Sequence, residues 1–253
     1  MIKLPDFDKV WDYENNFYLS CDSSRMSKII SHYELYKIAE NITGDIIECG
    51  VFKGVSLCRF AMFRDLFGNY NSKRIIGFDT FSKFPETKVN VKSNDKHYDS
   101  KPTYWKDDDE GRKKHIEISQ ESISKEQLYD VLHHKNINEL ELVEGDITET
   151  IPKYVKEHPD LKISLLNLDV DIYEPTVTIL EYLYPRIEKG GVLILDDYEK
   201  FPGETKAIDD YFKGKNVEIK KFSFCTYPRF IIKPWHVIKL NTILVKSSYD
   251  LLE

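Results

Sequence analysis

Apolar positions in the first forty residues predict one helix behind an irregular arm. Helical spacing of apolar residues runs from Met26 to Ile38, behind Ser23 and Ser24, which the sequence offers as N-caps. Gly44 suits the end of this helix. Residues 1–20 are polar and aromatic without a clear period. We therefore expect residues 1–40 to form an arm and a helix that pack on a core domain.

Short apolar runs then alternate with helical spacing, which predicts strands and helices in turn. The predicted strands cover residues 45–49, 74–79, 141–146, 163–169, 192–196, 217–222 and 241–246. The predicted helices cover residues 55–63, 124–134, 151–157, 175–187 and 204–212. Gly190 and Gly191 are interpreted as the segment by which the chain leaves the helix at 175–187. Consecutive parallel units wind right-handedly, so residues 41–253 predict one doubly wound α/β sheet that is mostly parallel, with an antiparallel C-terminal strand.

A long polar segment interrupts the alternation between residues 80 and 117. It contains two prolines and an acidic run at residues 107–110. A connection of this length inside one domain is typical of a lid, a binding loop or a disordered insert. Tyr104 and Trp105 within it suit either stacking on a substrate or packing of the loop. The segment leaves the edge of the sheet where acidic residues collect, so we expect a lid.

Composition narrows the possible partners. The chain has 253 residues, 41% hydrophobic and 31% charged, with a net charge of −7, which argues against a nucleic-acid partner. No apolar run approaches the roughly 18–20 residues that cross a bilayer, and the start does not resemble a signal peptide. The four cysteines show no CxxC spacing, which is typical of reduced thiols. We expect a cytoplasmic protein without a membrane partner.

Paired acids follow two of the predicted strands. Asp169 and Asp171 end one strand, and Asp196 and Asp197 end the next. Parallel strands deliver their carboxyl ends to one edge, and residues two apart on an extended strand point to the same side. Four carboxylates in one cleft repel each other, so a cation lies among them or some are protonated. Oxygen ligands favour magnesium, calcium or manganese, whereas helix capping explains only one or two of the four acids.

Further acids follow the earlier strands. The turn from Glu48 through Gly50 to Gly54 lets a ligand approach the backbone, although an ordinary strand-to-helix turn has the same pattern. Its spacing is wider than GxGxxG, which suits a cofactor smaller than a dinucleotide. Asp79 suits ribose hydroxyls and Asp146 an adenine amino group, with helix capping as the alternative for both. His236 could reach the cleft, although a packing role is the simpler interpretation.

Four segments together resemble a known family. They read DIIECGVFKGVS, IIGFDTF, LLNLDVDIYEPT and GGVLILDDY, and the pairing of LDxDxYxPT with DDY is specific to the macrocin-type sugar O-methyltransferases. That family belongs to the class I S-adenosylmethionine-dependent enzymes, with a Rossmann-like fold. The resemblance covers about residues 20–245. It implies methyl transfer, with magnesium or manganese, to a sugar hydroxyl, on a nucleotide-linked sugar for surface polysaccharide or on a glycosylated natural product.

The resemblance also implies a role for each matching residue. Residues that would line the methionine and ribose of the cofactor are Glu48, Gly50, Gly54 and Ser56. Asp79 would bind the ribose hydroxyls and Asp146 would lie at the adenine. The implied metal ligands are Asp169, Asp196 and Asp197, with Asp171 as the general base. Residues 85–110 match poorly, and we expect substrate choice to depend on them.

Three alternatives remain open from the sequence. One keeps the fold and the metal but methylates a catechol-like phenol. A nucleotide-sugar oxidoreductase or epimerase would need a tighter glycine loop and a Tyr-xxx-Lys pair, which Tyr211 and Lys213 do not form. A non-catalytic binding module with a cation in its cleft is the third. The aromatic N-terminal arm further predicts a homo-oligomer.

Overall fold

Six strands form one sheet in the computed structural model, which describes residues 1–68, 73–82 and 121–234. Their order is β3-β2-β1-β4-β5-β6; the first five are parallel and β6 is antiparallel to β5. The predicted fold class is confirmed. The strands are β1 (Asp45–Cys49), β2 (Ile75–Asp79), β3 (Leu140–Glu144), β4 (Ile163–Leu168), β5 (Ile187–Leu195) and β6 (Arg229–Ile232).

Seven α-helices accompany the sheet in the described ranges. They are α1 (Val10–Ser20), α2 (Ser23–Ala39), α3 (Val55–Leu66), α4 (Lys125–His134), α5 (Ile147–Glu157), α6 (Tyr173–Tyr182) and α7 (Pro202–Phe212). Short 3-10 helices cover Phe7–Lys9 and Tyr184–Arg186. Within these ranges, no helix has both the length and the apolar character that a membrane crossing requires.

The core consists of two apolar layers, one on each face of the sheet. Neighbouring residues of a strand point to opposite faces, so Ile46 packs in one layer and Ile47 in the other. Helices α2, α3 and α4 contribute to the layer that holds Ile46, and α5, α6 and α7 to the layer that holds Ile47. Burial on both faces explains why the strands are continuous apolar runs rather than alternating ones.

The topology defines where a ligand site can form. Strand β1 pairs with β2 on one side and with β4 on the other, so the chain order changes direction between β1 and β4. Crevices outside the carboxyl ends of strands at such a point are the usual ligand sites of open α/β sheets. Cys49 pairs in register with Leu168, and Leu168 with Leu195, so the residues that follow these strands are neighbours.

Two local predictions about helix ends were wrong. Asp22, rather than Ser23 or Ser24, caps α2, because its side chain accepts from the backbone N–H of Ser24 at 2.8 Å. The helix predicted over residues 175–187 ends at Tyr182. Gly190 and Gly191 are part of β5 rather than a helix exit, because both exchange backbone hydrogen bonds with Lys233 beside β6.

The C-terminal region also differs from its prediction. Residues 217–222 form no strand; only Lys220 makes an isolated bridge, to Phe230. The antiparallel strand is β6 instead, and the predicted strand 241–246 lies outside the described residues. Most of the predicted lid, including Tyr104 and Trp105, and also His236 lie outside them too.

The N-terminal arm is helical, which its irregular pattern did not indicate. Helix α1 has no buried residue, whereas α2 contributes Leu35 and Tyr36 to the core. The division into an arm at residues 1–40 and a domain at 41–253 stays a prediction, as does the homo-oligomer.

Candidate functional site

A cavity of about 610 Å³ opens at the carboxyl edge of the sheet. Two of the predicted site residues, Glu48 and Gly54, do not line this cavity. Glu48 is fully buried near the end of β1. The structure therefore brings most of the predicted site together. The predicted residues that line the cavity are Gly50, Ser56, Asp79, Asp146, Asp169, Asp171, Asp196 and Asp197.

Gly50 allows the ends of β1 and β4 to touch. Its φ is +87°, and a Cβ atom there would lie 1.7 Å from the backbone oxygen of Asp169. A side chain is therefore excluded by contact as well as by backbone conformation. The backbone N–H of Asp169 donates to the oxygen of Cys49 at 3.0 Å, which holds the first acid beside the turn.

Asp79 fixes the glycine turn from the neighbouring strand. Its Oδ2 atom accepts from the backbone N–H groups of Val51 at 2.7 Å and Phe52 at 2.9 Å. Its Oδ1 atom accepts from the N–H of Phe81 at 2.7 Å. Sequence analysis missed this structural role. These three bonds, with the Thr80 hydroxyl 3.4 Å from Oδ1, occupy most of the four lone pairs of the carboxylate, and the contact to ribose stays a prediction.

Glu48 connects β1 to the first turn of α3. Its Oε1 atom accepts a hydrogen bond from the Ser56 hydroxyl at 2.8 Å. Burial raises the pKa of Glu48 to about 8, so the carboxyl group is mostly protonated at neutral pH. Glu48 thus supports Ser56, which lines the cavity, rather than lining it directly.

Asp146 caps α5 and also lines the cavity. Its Oδ1 atom accepts from the backbone N–H of Thr148 at 2.8 Å and from the Thr148 hydroxyl at 2.7 Å. The cap explains why α5 begins at Ile147, one turn earlier than predicted. The capping alternative is therefore present in the structure, and the adenine contact stays a prediction.

Asp169, Asp171 and Asp197 form a cluster of oxygen atoms. Each offers one carboxylate oxygen, and the three atoms lie within 4.8 Å of one another. The sequence predicted that an extended strand would point Asp169 and Asp171 to the same side, and this was wrong. Strand β4 ends at Leu168, and Asp171 has a φ of +63° rather than an extended conformation. A left-handed turn after the strand, and not the pleat, brings Asp171 to Asp169 and Asp197.

Burial and mutual repulsion act on this cluster. The pKa of Asp169 is raised well above its usual range by burial and by the charges of Asp196 and Asp197. Burial and Asp197 likewise raise the pKa of Asp171. Crowded oxygen donors of this kind fit a hard divalent cation such as magnesium or manganese, which would remove the repulsion.

Asp196 has a different environment from the other three acids. Its Oδ2 atom lies 2.6 Å from Nζ of Lys28, and its Oδ1 atom lies 3.8 Å from Nε2 of His32. Burial acts to raise the pKa of Asp196, but Lys28 and His32 outweigh it, so this pKa is lowered. The structure therefore groups Asp171, rather than Asp196, with Asp169 and Asp197; which acid is ligand and which is base stays a prediction.

Helices α2 and α3 add a polar network that sequence analysis missed. His32 is fully buried and stacks on Phe60, with ring centroids 4.9 Å apart. Nη1 of Arg59 lies 3.1 Å from Nδ1 of His32, and because arginine only donates, Nδ1 accepts and Nε2 carries the hydrogen. Burial lowers the pKa of His32 to about 4, so it is neutral at pH 7. The spacing of Lys28 and His32 on one helix face was a usable signal.

Glu204, on the first turn of α7, is a fifth acid beside the cluster. It is fully buried, and its Oε1 atom accepts from the backbone N–H of Asp197 at 3.1 Å. Burial and the charges of Asp197 and Asp196 raise its pKa well above the usual range. Lys200 forms an ion pair with Asp197. No pattern in the sequence indicated Glu204, because it lies eight residues beyond Asp196 in the helix predicted over residues 204–212.

A family model and two relatives match most of this chain. The model describes the macrocin-O-methyltransferase (TylF) family and matches residues 18–223. The chain is 25% identical over 177 residues to demethyldecarbamoylnovobiocin O-methyltransferase of Streptomyces niveus, covering 69% of this chain and 60% of that protein. It is 25% identical over 176 residues to 8-demethyl-8-(2,3-dimethoxy-alpha-L-rhamnosyl)-tetracenomycin-C 4'-O-methyltransferase of Streptomyces olivaceus, covering 69% and 60%. The chain thus spans about three fifths of the length of these curated relatives.

Two solved structures are similar in fold. The calicheamicin methyltransferase CalS11 superposes with a TM-score of 0.70 at 28% identity, covering 91% of this chain and 86% of that one. The O-methyltransferase NovP gives a TM-score of 0.64 at 20% identity, covering 84% and 80%. Both similarities support the doubly wound sheet described above.

Proposed function

This chain belongs to the macrocin-O-methyltransferase family, and from that premise we propose that it transfers a methyl group from S-adenosylmethionine to a sugar hydroxyl. The observation that carries the proposal is one cavity that combines the glycine turn with the acid cluster. One relative is named for methylation of a rhamnosyl compound, which supports a sugar acceptor. A nucleotide-linked sugar or a sugar of a glycosylated natural product is the proposed acceptor class.

The proposed cofactor site runs along the ends of β1, β2 and β3. Gly50 and Ser56 would contact the methionine part, Asp79 the ribose and Asp146 the adenine. All four residues line the cavity, and they follow the order of the strands from β1 through β2 to β3, which supports an extended cofactor. The bound cofactor supplies a methyl group already activated on a sulfonium. The protein's task is to hold the acceptor oxygen in line and remove its proton.

The proposed metal ligands are Asp169, Asp196 and Asp197. Their oxygen-only donor set fits magnesium or manganese, and Oδ1 of Asp196 is buried without a hydrogen-bond partner among the described residues. A dication held by these ligands would lower the pKa of a sugar hydroxyl group that it coordinates. Lys28 keeps Asp196 ionised, and Glu204 holds the backbone of Asp197.

Asp171 is the proposed general base. It lies in the oxygen cluster, and its carboxylate would take the proton from the sugar hydroxyl. A raised pKa improves a carboxylate as a base, because an effective base has a pKa near the working pH. Its position at the turn after β4, on the cavity wall, leaves the carboxylate accessible to an acceptor.

Two measurements test this proposal. Calorimetry should detect binding of S-adenosylmethionine, and absence of binding would contradict the methyltransferase function and favour the oxidoreductase or the binding module. A screen of nucleotide sugars and glycosides, followed by mass spectrometry, should find a product that has gained one methyl group. Methylation of a catechol and of no sugar would show that the acceptor class is wrong while the reaction is right.

A further inference from the structure

Three cationic side chains line the cavity without a carboxylate partner in the described part of the chain. They are Arg25 on α2, Lys53 in the turn before α3, and Arg59 on α3. Across residues 1–68, 73–82 and 121–234, none of the three lies within 4.0 Å of a carboxylate oxygen. Lys28 and Lys200 differ, because they pair with Asp196 and Asp197. The cavity thus has three cationic side chains in addition to the two lysines that pair with its acids.

Arg59 is held in place by a buried partner. Its Nη1 atom donates to Nδ1 of His32, which is fully buried against Phe60. A guanidinium group has five N–H donors, and this bond uses one of them. Arg59 lines the cavity and is half-buried, so its other donors are partly removed from water there. An arginine fixed in this way is a preorganised donor for an anion.

Arg25 and Arg59 act on each other through their charges. Burial lowers the pKa of Arg59, and the positive charge of Arg25 acts in the same direction. Two like charges on one cavity wall are unfavourable unless an anion lies between or beside them. Glu48 and Asp196 both favour the charged form of Arg59, but Glu48 is largely protonated at neutral pH and Asp196 already pairs with Lys28.

We propose that Arg25, Lys53 and Arg59 form an anion subsite that binds a carboxylate or phosphate group of a ligand in the cavity. Planar guanidinium groups match both anions with paired hydrogen bonds. The carboxylates that line the same cavity would repel such a ligand, so the cationic side chains would also determine the orientation in which it binds. This inference deepens the proposed function and rests on it for the identity of the ligand.

Two ligands of the proposed reaction carry this chemistry. The cofactor has a carboxylate on its methionine part, and a nucleotide-linked acceptor has phosphate groups. Arg59 lies three residues after Ser56 and therefore on the same face of α3. Since Ser56 belongs to the proposed methionine site, the methionine part of a bound cofactor would lie along the face of α3 that carries Arg59. A phosphate beside Arg25, which is exposed, would mark the entrance for the acceptor.

The test compares three probes on the full chain by calorimetry. S-adenosylhomocysteine has the carboxylate, methylthioadenosine lacks the whole amino-acid part, and uridine diphosphate carries the phosphates. The variants are Arg59→Gln and Arg25→Gln, with Lys189→Gln as the charge control because Lys189 is exposed at the far end of β5. Arg25 is exposed, so Arg25→Gln should fold even if Arg59→Gln does not.

Each outcome decides the proposal. Weaker binding of S-adenosylhomocysteine by about 10- to 100-fold, with methylthioadenosine unchanged, would assign the subsite to the cofactor carboxylate. The same loss for uridine diphosphate alone would assign it to an acceptor phosphate. Wild-type affinity of every folded arginine variant for all three probes would overturn the subsite, as would an equal loss in Lys189→Gln.

Failure of the function and failure of the subsite are separable. If the wild-type protein binds neither adenosine probe, the methyltransferase proposal fails, and the subsite is then judged on uridine diphosphate alone. Arg59→Lys adds a second check, because it keeps the charge but loses the planar fork. It should recover only part of the affinity that Arg59→Gln loses; full recovery would contradict paired hydrogen bonding and leave only a charge effect.

Discussion

The carboxyl groups at the carboxyl edge of the sheet differ in their surroundings and therefore in their pKa. Lys28 keeps Asp196 ionised, whereas burial keeps Glu48 largely protonated. Burial and the neighbouring carboxylates raise the pKa values of Asp169 and Asp171. Acidic residues of the same type thus differ in pKa because their contacts differ.

Asp171→Asn tests the proposed base. Asparagine also tolerates the positive φ of this position, so the backbone turn should persist. The amide cannot accept the proton, and kcat should fall by about 10²- to 10⁴-fold while the affinity for S-adenosylhomocysteine is unchanged. Steady-state kinetics and calorimetry measure the two effects. Asp130→Asn, an exposed site on α4, should leave both unchanged; a near-wild-type kcat for Asp171→Asn would remove Asp171 from the mechanism.

Glu48→Gln tests the buried carboxyl group at the end of β1. The folded-state pKa of Glu48 is about 8, against 4.5 unperturbed, so its stabilising contribution is complete below pH 4.5 and is lost as the pH rises through 8. Glutamine keeps an acceptor for Ser56 without titrating. From pH 4.5 to 8, the free energy of unfolding of the wild type should therefore fall relative to the variant, by roughly 5 kcal/mol in total.

Urea denaturation of the metal-free and cofactor-free proteins at several pH values measures this difference. Other titrating groups are common to both proteins, so their contributions cancel. The exposed Glu157→Gln variant should give a difference from wild type that does not change with pH. A difference for Glu48→Gln that is equally flat would show that the carboxyl group is not perturbed by burial.

At the level of elements, the site depends on short turns between strands and helices. Gly50 lets the β1 turn touch the end of β4, and Asp79 at the end of β2 binds the same turn. Helix α2 reaches Asp196, directly after β5, with Lys28 and His32, which lie one turn apart. Three strands, β1, β2 and β4, therefore meet at the Gly50 turn, and its shape should be important for stability.

Gly50→Ala and Gly68→Ala separate contact from backbone strain. Both glycines have a positive φ, but among the described residues a Cβ at Gly68 meets no atom within 4 Å, whereas at Gly50 it meets the backbone of Asp169 at 1.7 Å. Gly68→Ala should cost about 1–2 kcal/mol of unfolding free energy from strain alone. Gly50→Ala should cost at least about 3 kcal/mol, because the clash with Asp169 adds to the strain. Urea denaturation measures both, and equal costs would contradict the close approach of β1 and β4.

For the whole molecule, the net charge of −7 and the acid cluster act together. Self-repulsion among the acids destabilises the metal-free fold, and a cation that binds only the folded chain stabilises it by mass action. At a hundredfold excess over its dissociation constant, magnesium should raise Tm by roughly 5–10 °C. Scanning calorimetry with and without magnesium measures the shift.

Turnover gives an independent check of the cation. Excess chelator should abolish methyl transfer, and added magnesium or manganese should restore it. Asp169→Asn should lose the magnesium-dependent rise in Tm, while the exposed Asp130→Asn should keep it. Unchanged turnover in chelator would exclude the metal role, whatever the shift in Tm.

The amino-acid sequence by itself determined the five parallel strands and the edge that carries the acids. Apolar runs such as β1 and β4 are short and lie wholly inside the core, so neighbouring residues were enough to identify them. Glycine turns and strand-end acids follow these runs directly. The parallel arrangement then required Gly50, Asp79, Asp169 and Asp196 to meet at one edge.

Only the tertiary structure decided how the strand-end acids are paired. Asp196 binds Lys28, which lies 168 residues away in the sequence, and this contact separates it from Asp169, Asp171 and Asp197. The placement of Gly190 and Gly191 in β5 likewise depends on hydrogen bonds to Lys233, beyond the range of any local pattern. Local periodicity reports burial within a few residues, whereas the pairing of charges and strand edges depends on which distant segments the fold brings into contact.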